Sequence, residues 1–348
     1  MTGGQVFVDI DGLGLTPDDA AVLAHPRVGG LILFARNFES TEQLEQLMRS
    51  IRSAAPPSLV VAVDHEGGRV QRFHGDFTRL PPVRTLGHCF DEDEARAVEV
   101  ATHFGWILAA ELGCFDIDLN FGPVLDLDHG VSEIIGHRSF HRDPAAVSQL
   151  ALAMIVGMRK GGMAAVGKHF PGHGGVRGDT HDEAVIDPRA FSELSRDDLS
   201  VYAVPRRPHI DAVMCSHVTH PDVDSQPAGF SRIWLQRILR EQLAFTGAIL
   251  SDDLTMAAAA QDRAPDDRVA LAFEAGCDAA LMCNDRAAVA AVLSALNEPP
   301  AIEPSRRLSR LRRSGEAVSL AALQNSDLHR EAVDAISTLA RFEPQVEK

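Results

Sequence analysis

The sequence predicts an α/β protein, a single (β/α)8 TIM-type barrel with its active site at the C-terminal face of the strands. Three observations predict it. Strand-like and helix-like segments alternate almost throughout the 348 residues, which calls for parallel βα units. The strand-like segments are uniformly apolar rather than alternating, as strands buried on both faces are. Polar residues follow strand after strand at the C-terminal end, where such barrels keep their chemistry. A doubly wound open sheet gathers its ligand groups at one switch point instead.

Val6 to Ile10 is the first β-rich run, ending in Asp9 and Asp11. Gly30 to Phe34 is the second, leading to Arg36-Asn37. Glu42 to Ile51 has helical spacing, with Leu44, Leu47, Met48 and Ile51 on one face. Leu59 to Val63 is a third strand, followed by Asp64-His65-Glu66-Gly67-Gly68-Arg69. A long helix runs from Asp93 to Leu112, and the stretch Phe115 to Leu127 holds a strand with Asn120 and Asp126 near its end. Pro144 opens the next helix at a favoured position and Gly161-Gly162 closes it. Met163 to Val166 reads as a strand that leaves Lys168 and His169 at its C-terminal end. Phe191 to Val204 is expected to be helical, and Ser231 to cap a helix through Leu243. Ala212 to Cys215 leads to Ser216-His217, and Gly247 to Leu250 leads to Ser251-Asp252-Asp253. Arg268 to Ala275 is helical, ended by Gly276, and Ala279 to Met282 leads to Cys283-Asn284-Asp285. The barrel is placed at residues 1–300, with 301–348 a helical C-terminal extension packed on it or trailing from it.

Composition narrows the function. At 45% hydrophobic and 24% charged the chain reads as globular, and a net charge of −16 speaks against nucleic-acid binding. The basic cluster Arg306, Arg307, Arg310, Arg312 and Arg313 is read as a solvated helix face. Five cysteines, with no CxxC pair, point to reduced thiols rather than disulfides or a zinc ribbon. Met1 to Gln5 lacks a basic region followed by an apolar stretch, and no apolar run is long enough to span a bilayer. A soluble, cytoplasmic monomer without cofactor or membrane contact is expected.

Three constellations carry chemistry. Lys168 to His181 packs a lysine, an arginine, an aspartate and three histidines among four glycines and a proline. That composition makes a shaped loop with a site on it. Asp64 to Arg72 sets a carboxylate before glycines and arginines, which suits a polyhydroxylated ligand: Asp64 accepts hydroxyl hydrogen bonds and Arg72 offers a planar fork. In Ser251 to Met256 a carboxylate at a strand end can act as nucleophile, while the neighbouring aspartate caps a following helix. Only 5% of residues are aromatic, and Trp106 and Trp234 fall in helices. A pocket for one terminal sugar is therefore expected, not a long cleft lined with stacking platforms.

Together, Lys168-His169-Phe170-Pro171-Gly172-His173-Gly174, Asp179-Thr180-His181, Asp64 to Arg72 and Ser251-Asp252-Asp253-Leu254-Thr255-Met256 resemble glycoside hydrolase family 3. The likeness is to its bacterial cytoplasmic β-N-acetylglucosaminidases of cell-wall recycling, and Leu33 to Asn37 and Pro227 to Ser231 share it. It spans residues 5 to 290, departing where His137 stands in place of the family's more usual aspartate. The resemblance implies Asp252 as nucleophile, His181 as acid/base and Asp179 as its orienting partner. It also implies that Asp64, Arg72, Arg138, Lys168 and His169 bind the sugar, with an anhydro-muropeptide as substrate. A histidine suits the acid role because its pKa lies near working pH.

Other readings are a glycoside phosphorylase of the same family, a catalytically dead sugar binder and a metal-dependent hydrolase using His169, His173 and His181. The last is disfavoured. Pro171 and Gly172 interrupt the His169–His173 spacing, and no glutamate follows His169 as in HExxH.

Overall fold

The computed structural model describes residues 4–203, 210–296 and 302–343. Ten strands form: β1 (Val6–Asp9), β2 (Val28–Leu33), β3 (Val60–Val63), β4 (His65–Gly67), β5 (Val70–Gln71), β6 (Leu119–Asn120), β7 (Val166–Phe170), β8 (Ala212–Cys215), β9 (Ala248–Asp253) and β10 (Ala279–Leu281). Eight of them make one sheet in the order β6-β3-β2-β1-β10-β9-β8-β7, and every pairing in it is parallel. Parallel bridges from Leu119 to Ala164 and from Val124 to Lys168 join the two edges. The result is the (β/α)8 TIM-type barrel that the uniform apolar strands predicted.

Side chains alternate across the barrel wall. Phe7, Ile32, Ala62, Met214 and Leu250 fill the interior. Val8, Leu31, Val61, Val213 and Ile249 face the surrounding helices. Helices Glu94–Cys114 and Pro144–Lys160 are capped by Asp93 and Asp143 and pack closely. A Cβ on Gly105 would sit 2.0 Å from Met154 O, and one on Gly157 2.0 Å from Thr102 O, so only glycine permits that approach.

Several expectations shift. Lys168 and His169 lie inside β7, not beyond its end, because the strand runs on to Phe170. The Phe191 helix stops at Arg196 and a 3-10 turn, Asp198–Val201, follows; Asp198 turns inward to pair with Arg189 at 2.7 Å. Val204 lies outside the described residues. The segment after Ser231 is a wide π-type helix, Ile233–Gln242, and Ser231 Oγ accepts from Trp234 N at 3.2 Å. Trp106 and Trp234 are both buried packing residues.

The arginines after residue 305 are not one solvated face. Arg307 pairs with Asp278 (2.8 Å), Arg312 with Asp118 (3.5 Å) and Arg313 with Asp116 (3.9 Å). These acids stand at the N-terminal ends of β6 and β10, and Leu308 and Leu311 plug the barrel interior there. Arg306 does remain exposed, beside Glu303. Helix Asp327–Ser337 packs on Glu94–Cys114, where His329 Nε2 meets Glu111 at 2.9 Å. Among the described residues no helix is long and apolar enough to cross a membrane.

Candidate active site

Strand parity decides which polar residues enter the barrel mouth. Along β9, Ala248 and Leu250 face inward and Ile249 outward, so Asp252 continues the inward series and Asp253 the outward one. Asp253 is engaged by the neighbouring loops. Its carboxylate accepts from Thr255 N (3.0 Å), Cys283 N (3.2 Å) and Asn284 Nδ2 (3.2 Å). Neither aspartate caps the next helix, Ala257–Ala260; Met256 stands at that position.

Asp64 follows the inward-facing Ala62, and Lys168 follows the inward-facing Val166. Lys168 Nζ lies 2.6 Å from Asp64 Oδ1 and 2.7 Å from Glu66 Oε1. Arg138, from the 3-10 turn Gly136–Arg138, forks onto the same Glu66 at 2.7 and 2.8 Å. Two of the expected sugar-binding residues, Lys168 and Arg138, are thus joined through a glutamate that sequence reasoning gave no role, and Asp64 joins them through Lys168. Its signal was its place in the Asp64 to Arg72 run. Glu66 is presented by the β4–β5 hairpin, whose turn needs positive φ at Gly67 (92°) and Gly68 (56°). His65 N donates to Asn120 Oδ1 at 2.8 Å and ties the hairpin to β6. Arg72 follows β5, half-buried, and its buried Nε makes no hydrogen bond.

His169 directly follows Lys168 on β7. Its Nδ1 lies 2.6 Å from Asp126 Oδ2, and the same carboxylate accepts from His173 N at 2.7 Å. His173 Nε2 in turn meets Thr180 Oγ1 at 3.1 Å. His181 is on the loop beyond, its side chain 65% exposed and its Nδ1 2.7 Å from Asp179 Oδ1. The three imidazole rings have separate side-chain partners, Asp126, Thr180 and Asp179. Among the described residues no group of His, Cys, Asp and Glu is arranged to hold a metal ion.

Residues 9–311 match the glycosyl hydrolase family 3 N terminal domain. A Beta-hexosaminidase of Thiobacillus denitrificans is 45% identical over 342 residues, covering 98% of this chain and 95% of its own. Another, from Nitrosospira multiformis, is 46% identical over 338 residues and 97% of each chain. NagZ from Neisseria gonorrhoeae, solved in complex with N-trifluoroacetyl-D-glucosamine, superposes with a TM-score of 0.92 at 43% identity, over 98% of this chain and 99% of that one. The chain belongs to glycoside hydrolase family 3. It is a glycoside hydrolase of the β-N-acetylhexosaminidase type.

In this family 3 barrel the charges are strongly conditioned. Burial would push the Asp252 carboxyl up, but His169, His217, His181 and the Asp253 N–H hold it below the usual carboxylate range. Burial pushes Asp253 up to about 6, against the N–H groups of Thr255 and Cys283. Glu66 is buried, yet Lys168 and Arg138 hold it far down. Lys168 is raised despite its burial, because Asp64 and Glu66 face it. Burial lowers His217, which follows β8 next to Asp252 and was noted in the sequence only as a polar strand-end residue.

Proposed function

We propose that the chain is a retaining exo-β-N-acetylglucosaminidase that works through a covalent glycosyl-aspartate intermediate. The observation that carries this is the contrast at the end of β9: Asp252 points into the mouth as an ionised carboxylate, while Asp253 is occupied by the surrounding loops. A retaining enzyme needs one such nucleophile beneath the anomeric carbon and a proton donor beside the glycosidic oxygen. His181 takes the donor role and Asp179 orients it through Nδ1, leaving Nε2 for the leaving group. Asp64, Arg72, Arg138, Lys168 and His169 bind the sugar hydroxyls, with Glu66 spacing the cations.

The scarcity of aromatic residues, 5% of the chain, supports a pocket for a single terminal residue. The natural substrate is an anhydro-muropeptide in peptidoglycan recycling, handled by a cytoplasmic monomer. Paired chromogenic substrates test the sugar assignment. Hydrolysis of the β-N-acetylglucosaminide but not of the β-glucosaminide is expected, with the β-anomer released first by proton NMR. Release of the α-anomer first would rule out retention.

A further inference from the structure

We propose that Asp126 is a positioning residue for the reaction: by holding Nδ1–H of His169 it fixes the ring so that Nε2 meets the sugar beside Asp252. This rests on the reading of His169 as a sugar-binding residue.

Asp126 is a buried carboxylate whose one ion-pair partner among the described residues is His169. It accepts from His169 N (3.2 and 3.3 Å), from His169 Nδ1 (2.6 Å) and from His173 N (2.7 Å). Burial would raise its carboxyl, but His169 and then His173 hold it below the usual range. It is therefore an acceptor, and the proton on the short contact belongs to Nδ1. A buried carboxylate with no lysine or arginine in ion-pair contact among the described residues is costly to keep, which makes a purely space-filling role a poor explanation.

Two further facts locate the other edge of the ring. Among the described residues His169 Nε2 has no hydrogen-bond partner, and the side chain keeps 10% of its surface exposed. Among the charges acting on Asp252, His169 is the strongest. His169 is carried on β7 and Asp252 on β9 toward the C-terminal ends of these strands, so the open nitrogen is available to a sugar bound at that face. With Nδ1–H fixed, the ring cannot flip or change tautomer without breaking its bond to Asp126. This is the logic by which a carboxylate behind a catalytic or metal-bound histidine sets which nitrogen works.

The test is a double-mutant cycle with Asp126→Asn and His169→Gln, read as kcat/KM on a nitrophenyl N-acetylglucosaminide, with nitrogen-15 NMR of the His169 ring. Asp126→Asn is expected to lower kcat/KM about 10- to 100-fold in the wild-type background, the usual loss when a histidine's orienting partner is removed. It should have little further effect once His169 is glutamine. The wild-type ring should show Nδ1–H, and the variant a mixture. Equal losses in both backgrounds would overturn the proposal and send the effect through His173 and the Thr180 loop. A wild-type ring protonated on Nε2 alone would overturn it as well, and that measurement stands even where the variant fails to fold. If His169→Gln alone leaves kcat/KM unchanged, it is the sugar-binding reading of His169 that fails, and the proposal with it.

Discussion

The carbonyl oxygen of His181 accepts a hydrogen bond from the backbone N–H of Ala257 at 3.1 Å, and Thr180 O repeats the contact with Ala258 N at 3.1 Å. Ala257 opens the helix that follows the Asp252 strand. The loop carrying the proposed acid/base is therefore docked on the element that follows the proposed nucleophile, although the side chain of His181 still faces solvent. The proposed proton donor and the proposed nucleophile are thus tied through backbone hydrogen bonds to one helix start.

The loss of His181 is expected to be graded by leaving group. A nitrophenolate needs little protonation on departure, whereas a sugar needs a full proton. His181→Ala is expected to depress hydrolysis of the natural disaccharide by about 10²–10⁴ and the nitrophenyl glycoside far less in the glycosylation step. In the wild type the second half-reaction should also accept azide or phosphate, because neutral imidazole does not repel an anion as a carboxylate does. Steady-state and burst kinetics on the two substrates decide it. Equal losses on both would remove His181 from the acid role.

Glu66 is expected to be as important to stability as to affinity. Glu66→Gln leaves Lys168 with Asp64 but takes from the buried Arg138 its ion-pair partner, a loss of about 3–5 kcal/mol when one partner of a buried pair is removed. Urea unfolding measures this, and KM should rise in the fraction that folds. Arg306→Gln is the control. Its pair with Glu303 is exposed on both sides, and unfolding should move by less than about 1 kcal/mol.

Asp253 gives a pH signature. Its folded pKa of about 6 lies above the ordinary 3.8. The folded state therefore binds more protons than the unfolded one between these values, and this group's contribution to stability falls as pH rises through that window. The decline amounts to roughly 3 kcal/mol. Urea unfolding from pH 4 to 7 on wild type and Asp253→Asn should show the difference narrowing toward acid pH. Parallel curves for the two proteins would show that Asp253 does not titrate there.

The barrel was legible because its strands are apolar runs placed between amphipathic helices, and Val28 to Leu33 or Ala212 to Cys215 can hardly be anything else. What could not be read lies where polar residues are buried by distant partners. Lys168 and His169 looked like residues beyond a strand because their polarity hides that β7 continues through them. The β4–β5 hairpin is too short to give a periodic signal. Glu66 looked like part of a loop because its two cations come from Arg138 and Lys168, far along the chain. Asp126 was visible near a strand end, yet its partner His169 lies 43 residues away. Arg307, Arg312 and Arg313 looked solvated for the same reason, since Asp278, Asp118 and Asp116 belong to other βα units.

Covalent capture of the intermediate is the most direct measurement of how this barrel works. A fluorinated N-acetylglucosaminyl donor that forms the glycosyl-enzyme quickly and releases it slowly should add one sugar to the protein. Peptide mapping should then place that sugar on Asp252, and Asp252→Ala should take up none and lose nearly all activity. A sugar found on Asp253, or turnover of the donor by Asp252→Ala at the wild-type rate, would contradict the assignment of Asp252 as the nucleophile.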